Sequence, residues 1–316
     1  MATATILKAR RSTQPVATFA WFVLGFFILV VLWGAVVRAT GSGGGCGSNW
    51  PLCNGDFVPH HPRLATIIEF AHRSTSGMCA FFLAALAFFT ISSTPRGHLA
   101  RKAVLWAAIL LVTEALLGAA LVLRHWVENN VSTGRVIAQS IHFTNTLLLM
   151  AALALTAWFL RESPTTPAET LPTRTSRRAA ILAILATILI GATGSLAALA
   201  DTLFPSPTVW AGLTADLNAA SPILVRMRWV HPFAALVGFV CVVILIRSQR
   251  RLTGTAKAVL ALLALQFALG IADVLLLAPT WMQVLHLLGA DLYWVTLVVL
   301  AADVLWPRRT LASLPA

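Results

Sequence analysis

Long apolar runs broken by short polar clusters set the rhythm of this chain. Val16 to Val37 carries no charge at all. A membrane helix needs about 20 mostly apolar residues at ~1.5 Å rise each, so this run predicts a spanning helix. It is longer than the roughly 7–15-residue core of a cleaved signal, which predicts that it is retained. Seven further runs follow at 64–92, 101–123, 137–160, 178–200, 227–247, 256–277 and 281–305. The pattern predicts an all-α polytopic membrane protein with eight transmembrane helices, here spans 1–8.

Composition sharpens that reading. Of 316 residues, 58% are hydrophobic and 11% charged, and the mean hydropathy is +0.82. Soluble domains carry roughly 25% charged residues, which argues against a cytosolic enzyme. The net charge of +12 invites a nucleic-acid reading, but the charges sit between apolar runs, as membrane loops do. No nucleic-acid partner is expected; the partner of these surfaces is membrane lipid.

Orientation follows from Lys and Arg, which favour cytoplasmic loops. One face collects the N-terminus, the 2–3, 4–5 and 6–7 loops and the C-terminus, with sixteen: Lys8, Arg10, Arg11, Arg96, Arg101, Lys102, Arg161, Arg174, Arg177, Arg178, Arg247, Arg250, Arg251, Lys257, Arg308 and Arg309. The other face and its helix edges hold six: Arg38, Arg63, Arg124, Arg135, Arg226 and Arg228. Both termini are expected in the cytoplasm. The Pro- and Thr-rich stretch 161–177 reads as a linker between an N-terminal half, 1–160, and a C-terminal half, 178–316. The outer loops 39–63 and 201–226 are longer and carry Gly, Pro, Trp and Asn.

The halves resemble each other. Gln139-Ser-Ile-His142 in span 4 matches Gln283-Val-Leu-His286 in span 8. Glu114-Ala-Leu-Leu-Gly118 in span 3 matches Gln266-Phe-Ala-Leu-Gly270 in span 7, and Glu69-Phe-Ala-His72 in span 2 matches Arg228-Trp-Val-His231 in span 6. Three matches in one order suggest a duplicated four-helix unit, an internal repeat. His72, His142, His231 and His286 each fall near the outer end of an even-numbered span. Interhelical hydrogen bonding is one explanation for a membrane histidine. Four imidazoles in one layer, two per half, also suit paired axial ligation of haem iron. Zinc would want more ligands converging at one point.

Cys79 and Cys241 lie among apolar residues and read as packing groups. Cys46 and Cys53 flank Gly-Ser-Asn-Trp-Pro-Leu in the first outer loop, where six residues with Gly and Pro can fold back to disulfide range. A structural staple and a redox pair that relays electrons or receives a haem both remain open. Glu69 precedes His72 by three positions on nearly the same helix face, with Arg73 one turn beyond it. A membrane carboxylate is paired or used. Arg73 neutralises it on one reading; on the other it transfers protons or stabilises charge beside whatever His72 binds. Glu114, Asp273 and Asp291 are also intramembrane carboxylates.

These residues resemble the heme A synthase family, from Gly34 to about Trp294. The resemblance rests on Val-Val-Arg-Ala-Thr-Gly-Ser-Gly (36–43), Cys-Gly-Ser-Asn-Trp-Pro-Leu-Cys-Asn-Gly (46–55), Ile-Glu-Phe-Ala-His-Arg (68–73) and the histidines of spans 4, 6 and 8. It implies an enzyme that oxidises the C8 methyl of haem O to a formyl group, giving haem A for terminal oxidases. It further implies a cofactor haem b between His231 and His286, and the substrate between His72 and His142. Glu69 is the implied reaction residue, and Cys46 with Cys53 the pair associated with disulfide formation and haem handling. Members with a second cysteine pair carry it in the third outer loop; 201–226 has none, so that role does not transfer. Arg38, Arg73, Arg226 and Arg228 suit propionates, which Arg binds bidentately, although arginine at a membrane edge also contacts headgroups. Haem O synthase is an expected partner and a quinone a candidate electron acceptor, in a bacterial-type cytoplasmic membrane with the haem sites towards the outer face. Two other classes compete: a di-haem, quinol-linked electron-transfer cytochrome, and a haem transport or delivery protein.

Overall fold

The structure, a computed structural model, describes residues 2–161, 172–249 and 252–307. Most of the expected linker, 162–171, lies outside the described residues, as do Arg250, Arg251, Arg308 and Arg309 and the side chains of Lys8, Arg10 and Arg11. The described chain is helical: α1 (Ala2–Ala39), α2 (Leu64–Ser93), α3 (Leu99–Leu123), α4 (Thr133–Leu160), α5 (Arg174–Leu203), α6 (Val209–Leu217), α7 (Ile223–Arg226), α8 (Val230–Arg247), α9 (Gly254–Leu275) and α10 (Thr280–Leu305). Eight helical segments are long and apolar enough to cross a membrane, and no strand occurs among the described residues. This is an integral membrane protein.

Local chemistry starts these helices where the polarity changes. Ser132, Thr173, Thr208 and Thr253 sit at N-caps and accept from backbone N–H groups of the first turn, satisfying donors that have no partner within the helix. Span 6 departs from the continuous run expected at 227–247. It begins at Ile223 and divides into α7 and α8, because Pro232 in the first turn of α8 has no N–H to give Arg228. The segment 201–226 is correspondingly not a bare loop, since it contains α6 and α7.

Helices α1 to α4 close into a ring, each packed on its neighbours, with α4 returning to α1. In the second half α5 packs on α8 and α10, and α10 on α9. α8 and α9 meet more loosely, with Phe239 and Phe267 in contact at 6.0 Å. The halves join through α1, α4, α5 and α10, where the Trp294 indole donates to Leu147 O at 2.8 Å. α4 is the innermost span: 67% of its apolar window is buried within the protein, against 11% for α9. Small residues make that approach possible, with Ala138, Ala152, Ala154 and Ala157 all buried on α4, because helices in lipid associate by close van der Waals packing. Ala157→Leu should therefore overpack the centre and lower stability by ~1–3 kcal/mol. Ile137→Leu, on the exposed side of the same helix, should stay within about 0.5 kcal/mol; thermal unfolding in detergent compares the two.

Candidate haem sites and their surroundings

The four span histidines lie at the same end of their helices. His72, His142, His231 and His286 fall six to nine residues past the first residues of their spans, Leu64, Thr133, Ile223 and Thr280, so ~9–14 Å along the axis. Three of the rings lie against a glycine. A Cβ on Gly34 would stand 3.0 Å from His72 Cε1, one on Gly194 2.9 Å from His231 Cε1, and one on Gly270 3.3 Å from His286 Cε1. Only a residue without a side chain lets the neighbouring helix come that close. His142 breaks the pattern: Gly118 meets nothing within 4 Å, and the ring meets Glu114 instead.

Whether these pairs suit a haem is a question of spacing. Two imidazoles bound trans to one metal at about 2.0–2.1 Å, with ring centres ~1.2 Å behind the bonded nitrogens, have centroids ~6.4 Å apart. The His231 and His286 centroids lie 6.3 Å apart with the rings nearly perpendicular. His231 Nδ1 is 3.2 Å from Ile190 O, which directs that nitrogen to the carbonyl and leaves Nε2 for a metal. His286 Nδ1 is buried without a hydrogen-bond partner, as is His72 Nδ1. Spacing and donor chemistry in the second half thus fit a bis-histidine haem. Among the described residues no three His, Cys, Asp or Glu side chains gather as a closed metal site.

Beside His72 the loop between α1 and α2 is pinned onto α2. Cys46 and Cys53 form a disulfide, with S–S 2.00 Å and Cα–Cα 4.4 Å. Glu69 Oε2 accepts the Cys46 N–H at 2.7 Å. Its Oε1 accepts from Arg73 Nη2 at 2.6 Å and Nε at 3.1 Å. Arg73 Nη1 in turn donates to Asn49 O at 2.6 Å and Leu52 O at 2.7 Å, both within the disulfide loop. Thr66 Oγ1 donates to Gly45 O at 2.7 Å, and a Cβ on Gly45 would run into the Ala65–Thr66 backbone. The E-x-x-H-R run therefore joins loop, carboxylate and imidazole into one unit, with Glu69 only 3% exposed.

The four arginines expected near propionates differ in what they already hold. Arg38 Nη1 donates to Ala198 O and Thr202 Oγ1, both at 2.6 Å, and Nη2 to Gln283 Oε1 at 2.8 Å. It thereby ties α1 to α5 and α10, one turn from His286. Arg73 is engaged as above. Arg228 pairs with Asp201 at 2.9 Å and Asp216 at 2.8 Å; burial raises the Asp216 carboxyl above its ordinary range against the pull of Arg228. Arg226 is exposed. The role of Arg38 between the halves went unread in the sequence, as did the two aspartates on Arg228. Asn145 and Thr146, polar residues inside an apolar span, were a signal there to be used.

A family model described as COX15-CtaA, cytochrome oxidase assembly protein, matches residues 17–298. The chain belongs to this family. Among relatives of this COX15-CtaA member, a Thermus thermophilus protein named protoheme IX farnesyltransferase is 40% identical over 300 residues, 92% of this chain and 48% of that protein. The chain thus spans about half the length of the Thermus relatives it matches. A heme A synthase of Bacillus cereus is 41% identical over 95 residues, 30% of each chain.

Proposed function

We propose that this COX15-CtaA member is a heme A synthase, which oxidises the C8 methyl of haem O to the formyl group of haem A. The observation that carries the reading is the clamp at Glu69. An anionic, nearly buried carboxylate stands one turn before His72, held by the Cys46 amide and by Arg73. An electron-transfer cytochrome has no evident use for that arrangement. The porphyrin iron supplies the electronic chemistry when bound. The protein's own residues position and polarise. His72 and His142 hold the substrate in the N-terminal half; His231 and His286 hold a resident haem b in the other. Held by Arg73 and the Cys46 amide, the Glu69 carboxylate would act as a positioned negative charge that stabilises positive charge developing on the substrate. Arg73 holds Oε1 alone, so Oε2 keeps one acceptor position beside the Cys46 amide through which the carboxylate could also take a proton.

The Thermus name raises farnesyl transfer as a second reading. Handling a prenyl diphosphate through Mg²⁺ draws on grouped carboxylates. The two aspartates that do meet, Asp201 and Asp216, are both taken by Arg228, and among the described residues no three His, Cys, Asp or Glu side chains gather. The name fits better as a description of the remainder of a protein twice as long. On that view a segment like this chain is joined there to the activity that farnesylates protohaem, which supports haem O synthase as the partner here: the intermediate is apolar and reactive, and direct transfer protects it. The Lys and Arg asymmetry supports a cytoplasmic membrane with the haem layer outward, and a quinone suits the acceptor role by its solubility in the bilayer.

Co-expression with a haem O source followed by pigment extraction tests the activity. Haem A is expected, bound to or released from the purified chain. Haem B alone, with added haem O recovered unchanged, would move the assignment to a di-haem electron-transfer cytochrome.

A further inference from the structure

The four histidines do not share one environment, and the difference divides the halves. In the N-terminal half, His142 Nδ1 stands 3.4 Å from Glu114 Oε1. That is an ion-pair separation at an angle short of a hydrogen bond. A turn of the imidazole about its broad second torsion brings Nδ1–H into line with the carboxylate. The Glu114 carboxylate is itself held still. Asn145 Nδ2 donates to its Oε2 at 2.6 Å, Thr146 Oγ1 donates to Oε1, and Asn145 is fixed by Thr113 Oγ1 at 2.7 Å and Leu110 O at 2.8 Å. A neutral His142 that bound iron through Nε2 would keep its proton on Nδ1, facing this carboxylate. With Asn145 and Thr146 that gives Glu114 three donors inside an apolar span.

The corresponding place in the other half is neutral. Gln266 occupies the position of Glu114 in the matched runs. His286 Nδ1 has no hydrogen-bond partner, and His231 Nδ1 faces a backbone carbonyl, Ile190 O. A carboxylate on the far nitrogen makes an imidazole a stronger electron donor than a carbonyl does, and partners of ligands tune metal potentials. A ferric porphyrin carries one net positive charge and a ferrous one none, so a nearby fixed anion favours the ferric form.

We propose that Glu114 is a positioning residue that orients His142 through Nδ1 and, by its charge, holds iron in the N-terminal half at a lower reduction potential than iron in the C-terminal half. The proposal rests on the reading that His72 and His142 hold a haem. The two sites are then electronically unequal by design of one residue, Glu114 against Gln266. Electrons leaving the N-terminal haem have a downhill path to the C-terminal one.

The test is redox potentiometry with visible and EPR spectra on the purified, haem-loaded protein, comparing wild type with Glu114→Gln and Glu114→Asp. In Glu114→Gln the N-terminal haem should shift its ferric-to-ferrous preference at least tenfold, ~59 mV upward for a one-electron couple, with altered ferric low-spin g values. The C-terminal haem should not move, and serves as the internal control. Glu114→Asp, which keeps the charge but draws it back, should fall between. An unshifted N-terminal potential in Glu114→Gln, with haem retained, overturns the proposal. Loss of that haem in both variants overturns it too, making Glu114 a structural group. Wild-type protein without any haem in the N-terminal half instead overturns the underlying site reading.

Discussion

Glu69→Gln is expected to stop haem A formation almost completely, with haem O or a partly oxidised haem accumulating on the protein. Loss of one group placed to stabilise charge in the transition state lowers rate by about 10²–10³-fold. Gln keeps a carbonyl oxygen for the Cys46 amide, so the loop contact at 2.7 Å has a replacement acceptor. What disappears is the negative charge. The difficulty is that the same charge also neutralises Arg73, and removing one partner of a buried pair costs about 3–5 kcal/mol. Arg73→Gln separates the two roles. It breaks the same ion pair and frees the loop carbonyls of Asn49 and Leu52, yet leaves the carboxylate in place. Conversion should fall much further in Glu69→Gln than in Arg73→Gln at equal haem content. Equal losses in the two variants would reduce Glu69 to part of the clamp.

On the proposed assignment, replacing either His231 or His286 with Ala should abolish haem binding in the C-terminal half while the N-terminal half still takes up haem. Even a partner of a metal ligand is worth about 10–100-fold in affinity, and loss of the ligand itself should exceed that. The prediction is specific because the two rings stand at the separation that one bridging metal requires. Haem content by pyridine haemochrome, together with reduced-minus-oxidised spectra, should show one haem population missing and the other unchanged. His72→Ala should give the reverse pattern. Retention of both haems in His286→Ala would end the assignment of this pair.

Much of this was legible in one dimension. The eight spans follow from run length and hydropathy alone, since a bilayer imposes a fixed thickness on every helix that crosses it. The E-x-x-H-R run already implied that Glu69, His72 and Arg73 share a helical neighbourhood, and the disulfide joins the two loop cysteines that six intervening residues can bring together. Less was visible where nearly uniform hydrophobicity hides which face of a helix meets protein. α4 and α9 look alike as apolar runs, yet one is central and the other peripheral. The sequence run 227–247 also hid a break, although Pro232 marked the spot.

The sequence by itself determined the number of spans, the charge asymmetry between loops and the residue types available for chemistry. Those properties depend on composition and on spacings within one helix, and the regular rise of the helix converts them directly into depth and face. The tertiary structure alone decided which groups separated by tens or hundreds of residues meet: Glu69 with the Cys46 amide, Arg38 with Gln283, and Glu114 with His142. In an apolar solvent those meetings are set by close packing of small residues and by the need of each buried polar group for a partner. No spacing along a single chain encodes them.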